Sequence, residues 1–111
     1  MKKTYVFKEG RNNYHCVNLD DIIYIKADKG RTVITCNTIE IKSPLPFNEV
    51  LKVMGNTLFQ CHRSYAINLE KITKFNSDNI YFTTYMINLG SKYKDVFFEK
   101  MLTKQNQITS L

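Results

Sequence analysis

Helical periodicity interrupts a long series of short strand-like runs only twice in this chain, and that rhythm constrains the fold more than any other feature. "TYVFK" (4–8), the Gly/Asn-rich "EGRNN" (9–13) and "YHCVN" (14–18) read as a β-hairpin of aromatic and β-branched runs around a turn. "DDIIYIKA" (20–27), a turn at "DKG" (28–30), "RTVITC" (31–36), a break at "NT" (37–38) and "IEIK" (39–42) add more strands, with Ile39 and Ile41 expected on one face. The period changes at "SPLPFNEVLKVMG" (43–55), where Phe47, Val50, Leu51 and Met54 stand at i, i+3, i+4 and i+7, the stripe of an amphipathic helix. Pro44 and Pro46 suit its first turn and Gly55 its stop.

Strand patterning then returns in "FQCH" (59–62), "YAIN" (65–68), "KITKF" (71–75) and "NIYFTTYMINL" (79–89), the last with a turn near Thr83 to Tyr85. A second helix is predicted from about Ser91 to Lys104, with Tyr93, Val96, Phe97 and Met101 on one side. Strands, helix, strands, helix, with no long crossover, argue for a mainly β domain of antiparallel sheets or a sandwich, with one internal and one C-terminal helix. The 111 residues suffice for one domain and one modest core, assigned to 1–104, with 105–111 expected to fray.

Sixteen Lys and Arg against ten Asp and Glu leave a net charge of +6, which favours a polyanionic partner. Lys29, Arg31, His62, Arg63, Lys92 and Lys94 fall near turns and element starts, where side chains project together. No apolar run approaches the roughly 18 residues that cross a bilayer, and "MKKTYVFKEG" lacks a signal-peptide core, so a cytoplasmic location is expected. Cys16, Cys36 and Cys61 are an odd number in separate strand-like runs, so reduced and mostly buried thiols are expected rather than a disulfide framework.

The stretch "FQCHRSYAIN" (59–68) carries the most chemistry. A zinc site fails on spacing, since neighbouring strand residues such as His15 and Cys16 face opposite ways and no C-x2-C or H-x3-H pattern occurs. Nucleophilic catalysis through Cys61 or Ser64 lacks an elbow and a flanking glycine, and the single glycine of "DKGRT" makes no phosphate loop, so no enzyme, cofactor, metal or small-molecule substrate is expected. Base reading suits these residues better. Arg63 can donate twice to guanine, and His62 and Ser64 can donate to base edges or phosphate, with Phe59, Cys61, Tyr65 and Ile67 anchoring the strand ends.

Phe59, His62, Arg63, Ser64, Tyr65, Ile67, Asn68 and Ile72, together with "LDDIIYIKA" and a helix ending "VMG", resemble the LytTR DNA-binding domain of bacterial response regulators. The likeness runs from about Tyr5 to Met101. It implies an elongated fold of small antiparallel sheets that inserts loop residues into successive major grooves at repeated promoter sites. On this resemblance the contact residues are His62, Arg63 and Ser64; Lys29, Gly30 and Arg31; and Ser91, Lys92 and Tyr93, to which the charge reading adds Lys94. Lys26 stands where many relatives have Glu, and Lys92 replaces a family arginine, which suggests phosphate rather than bidentate base contact there.

The resemblance implies a transcription regulator of a two-component system, with double-stranded DNA, a second copy on an adjacent half-site, and a receiver domain or membrane-bound regulator as partners. Met1 leads almost directly into the first strand, which leaves a stand-alone regulator and an excised domain as alternatives. Two alternatives remain open from the residues: a protein-interaction module using Tyr14, Tyr81 and Tyr85 or a sheet edge, and, within nucleic acid, a binder of single strands or RNA that stacks bases on its many tyrosines.

Overall fold

The computed structural model describes residues 3–104, so the expected tail at 105–111 lies outside the described residues. The chain opens with a hairpin of β1 (Thr4–Glu9) and β2 (Asn13–Asn18), in register from Thr4↔Asn18 to Glu9↔Asn13. Strict alternation sorts its side chains: Phe7 and Val17 are buried, while Val6, Tyr14 and Cys16 point outward.

Next come β3 (Ile22–Asp28), β4 (Arg31–Cys36), β5 (Glu40–Ser43), α1 (Phe47–Met54), β6 (Phe59–His62) and β7 (Tyr65–Ile67). The strands among these form an antiparallel sheet of order β5-β4-β3-β7-β6. A small sheet of β8 (Lys74–Phe75), β9 (Asn79–Tyr81) and β10 (Met86–Asn88) follows, and α2 (Lys94–Lys104) ends the described chain.

Register decides which core each residue enters. Ile41, Ile34, Ile25 and Ala66 pair in a row across the central sheet and face the hairpin and α1, packing with Phe7, Val17, Phe47, Val50 and Met54. Tyr24, Ile67 and Phe59 form the adjacent row on the opposite face and meet Ile80, Ile87, Phe97 and Met101 of the small sheet and α2. Each fully buried Ile or Phe is worth about 1.5–3 kcal/mol, and slipping β3 by one residue would swap its side chains between the two cores, so the register is strongly specified. The result is layered on both faces and elongated, 55 × 30 × 24 Å.

Asn68 clamps the two cores together. Its Nδ2 donates to the Ile22 carbonyl at 3.0 Å and the Leu19 carbonyl at 3.2 Å, and its Oδ1 accepts from the Glu70 amide at 3.1 Å. The Asn68 amide also donates to the Ile23 carbonyl. At 5% exposure this side chain is a structural part of the motif and is not offered to a ligand.

Several sequence expectations are corrected. The first helix begins at Phe47 rather than residue 43, because Ser43 still pairs with Thr32 in the sheet and Pro46 is extended at its N-cap. The second helix opens with a 3-10 turn at Ser91–Tyr93 and becomes α-helical at Lys94. Residues 71–75 give a strand only at Lys74–Phe75, since the Asn68 cap winds Leu69–Lys71 into a 3-10 turn. Ile39 and Ile41 do not share a buried face: Ile39 precedes β5 and is 46% exposed, while Ile41 is fully buried. The turn near Thr83 to Tyr85 is present, closed by the Phe82 amide donating to the Tyr85 carbonyl.

Candidate nucleic-acid interface

The β6–β7 link is the two-residue turn Arg63–Ser64 between the paired residues His62 and Tyr65. The Ser64 amide donates to His62 Nδ1 at 3.1 Å, so a neutral imidazole carries its proton on Nε2 and keeps that nitrogen as a donor. The ring stands edge-on to Tyr65, with centroids 5.5 Å apart, which steadies its direction. Arg63 is exposed, and Ser64 is half-buried.

The β3–β4 link is Lys29–Gly30, between the paired Asp28 and Arg31. Both linking residues have positive φ, 51° for Lys29 and 82° for Gly30, the backbone hand of a two-residue type I′ hairpin. Lysine is an unusual occupant of that first position, where Asn, Asp or Gly is usual. The Ala27 amide donates to the Ser64 carbonyl at 2.9 Å, so this hairpin tip projects beside the Arg63–Ser64 turn.

Gly90 brings in the third segment. Its amide donates to the Cys61 carbonyl at 2.9 Å, attaching the start of the 3-10 turn to the free edge of β6. A methyl group at Gly90 would lie in ordinary contact at 3.5 Å from both Cys61 O and His62 Cα but 3.2 Å from Tyr93 Cδ2, so the Tyr93 ring would have to give by a few tenths of an ångström. Ser91 and Lys92 are exposed. Tyr93 is half-buried against the α2-side core, with Lys92 Nζ 5.9 Å from its ring centre, and Lys94 Nζ lies 3.8 Å from Asp78 Oδ1.

All ten residues singled out from the sequence therefore lie on three segments gathered at one end of the central sheet. They do not present equally. Lys29, Arg31, Arg63 and Lys92 are exposed and carry no ion pair among the described residues. Tyr93 mainly packs, and Lys94 already faces an acid. The local reasoning from sequence missed Gly90, although a lone glycine just before "SKY" was a signal for close backbone approach.

The remaining reactive groups are scattered. Cys36 sits in the hairpin-side core with its thiol pushed up to about 11 by burial, and Cys61 in the other core with its thiol pushed up to about 12 for the same reason. Cys16 departs from the expectation of mostly buried thiols and is exposed on the outer hairpin face. No group of three or more His, Cys, Asp or Glu converges among the described residues. Of the tyrosines considered for a protein-interaction surface, Tyr14 is on the hairpin, Tyr81 lies under Lys74 Nζ at 4.5 Å, and Tyr85 stands edge-on to Tyr24. They form no common platform.

Three cation-bearing turns gathered at one end of a β-rich domain make a surface suited to a polyanion. More particularly, the chain belongs to the LytTr DNA-binding domain family, whose model matches residues 12–101, a span that includes all three turns. Among solved structures it is similar to the LytTr DNA-binding domain of a protein described as a methyl-accepting/DNA response regulator from Bacillus cereus. That match has a TM-score of 0.71 at 16% identity and covers 93% of this chain and 99% of the other, a likeness of fold. No curated protein matches the chain. No helix among the described residues is long and apolar enough to cross a membrane.

Proposed function

We propose that the chain is a transcription regulator that reads double-stranded DNA sequence-specifically, inserting its turns into successive major grooves at repeated promoter sites. The observation that carries this reading is the pair of backbone hydrogen bonds from Ala27 to Ser64 and from Gly90 to Cys61. They tie three cationic segments side by side, which supports a contact surface whose ordering cost is largely met during folding. Arg63 and Arg31 supply planar forks for base edges, and His62 Nε2 supplies a directed donor. Lys29 and Lys92, with a smaller share from Lys94, take phosphates and set the salt dependence. A second copy occupies the adjacent half-site, and a receiver domain or membrane-bound regulator supplies the input.

The test is selection of binding sites from a pool of random duplexes at two salt concentrations, for the natural chain and for Arg63→Ala. A repeated motif should emerge, and Arg63→Ala should bind it more weakly by about 1–3 kcal/mol with relaxed preference at one position. Unchanged affinity and preference would remove Arg63 from base reading. Enrichment of no motif would overturn specific readout.

A further inference from the structure

The three turns described above leave one exposed cationic loop at the same end of the molecule without a role. The β1–β2 hairpin crosses beneath the central sheet on a diagonal. Near its start, Tyr5 Oη lies 3.1 Å from Thr57 Oγ1, on the segment leading into β6. At its tip, Glu9 Oε2 accepts from the Lys42 amide of β5 at 2.9 Å, while Glu9 Oε1 meets His15 Nε2 at 2.9 Å. Lys42 pairs with Val33, which pairs with Lys26, only two residues before the end of β3. The hairpin tip therefore emerges at the β5 corner of the end that carries Lys29 and Arg63.

That tip is Gly10, Arg11 and Asn12, followed by Asn13, all exposed. Gly10 has φ +68°, which closes the turn. Arg11 has no ion pair among the described residues. The nearest acid in sequence, Glu9, has both carboxylate oxygens engaged on its inward side. Strands lie about 4.8 Å apart, so the end of the β5-β4-β3-β7-β6 sheet sets this corner roughly 19 Å from the β6 edge. Duplex DNA carries one phosphate charge per about 1.7 Å of axis, so a duplex running along that row would still present phosphates at the corner. β1 and Arg11 precede residues 12–101, the span that the family model matches.

From this placement we infer that the Gly10–Asn12 turn is a fourth DNA contact, in which Arg11 takes a backbone phosphate flanking the span bound by the three turns. Glu9 is its positioning residue, holding the hairpin tip against β5. The inference rests on the proposed duplex reading and adds to it a footprint wider on the β5 side.

The experiment uses the motif recovered by selection, in one duplex with flanks and one without. Salt-dependent binding is measured for the natural chain, Arg11→Ala, Arg11→Lys and Glu9→Ala. On the flanked duplex Arg11→Ala should weaken binding uniformly and make the log–log salt slope shallower by about 0.9, while Arg11→Lys keeps the slope. Glu9→Ala should reproduce part of the loss. On the trimmed duplex all four should bind alike. An Arg11→Ala chain whose slope and affinity match the natural chain on flanked DNA overturns the fourth contact. Failure of the natural chain to bind any duplex instead removes the reading beneath it. Arg11 is exposed, so an unchanged thermal midpoint should accompany its replacement.

Discussion

Lys29→Asn should make the protein more stable and a weaker DNA binder at once. Lys29 holds φ +51° as the first of two linking residues, and Gly30 follows at +82°. A side chain with a Cβ in the left-handed region costs about 1 kcal/mol, and asparagine tolerates that region far better because its short polar side chain bonds locally. The tip is exposed, so replacing Lys29 removes no core contact. Relief of the strain should therefore appear almost whole, as about 1 kcal/mol or a rise of about 4 °C in thermal midpoint for a domain of this size. Lys29→Gly relieves the same strain but loosens the unfolded chain, so its gain should be smaller. Both variants lose one cation from the row, and each should flatten the salt slope by about 0.9. Paired thermal melts and duplex titrations at several salt concentrations read both effects. A midpoint that falls or stays level with Asn would refute the strain argument, and an unchanged slope would remove Lys29 from the phosphate contacts.

Asn68→Ala should destabilise the domain by about 2–3 kcal/mol in denaturant titration, because it leaves the buried Ile22 carbonyl without its side-chain partner and uncaps the following turn; a loss under 0.5 kcal/mol would contradict the clamp. In the folded protein at neutral pH a thiol reagent should modify Cys16 and spare Cys36 and Cys61, whose thiols burial raises to about 11 and about 12; mass spectrometry showing equal labelling would argue against that burial. Glu9 is held below its ordinary value of 4.5 by the Lys42 amide first and by the His15 hydrogen bond second. A depressed carboxyl contributes stability above its ordinary value and loses it as pH falls through the depressed one, so the hairpin latch should weaken only in acid. NMR titration of the Glu9 carboxyl carbon should give a midpoint below 4.5, and a midpoint at or above it would dissolve the latch.

How much of this was legible in the chain differs from element to element. The hairpin at 4–18, the paired runs at 20–36 and the helical stripe from Phe47 to Met54 followed from period alone, because alternation and 3.6-residue spacing are local properties. The helix start failed where a residue distant in sequence intervened, since Ser43 stays extended because Thr32 pairs with it. The turn at 69–71 was a local signal passed over, because the adjacent Asn68 caps it. The site was legible as residue types near turns. Its assembly was not, since the Cys61–Gly90 and Ala27–Ser64 hydrogen bonds join segments far apart in sequence.

The amino-acid order by itself determined that this would be a β-rich domain with two helices and a cationic His-Arg-Ser turn, since strand, helix and turn preferences act over a few neighbours. Tertiary structure alone decided that Lys29, Arg63 and Lys92 would share one end, that Asn68 would be a clamp, and that the Arg11 hairpin tip would reach that end's corner. Those outcomes depend on sheet order and register. They arise when rows such as Ile41–Ile34–Ile25–Ala66 bury together, an interaction that no local stretch of the chain encodes.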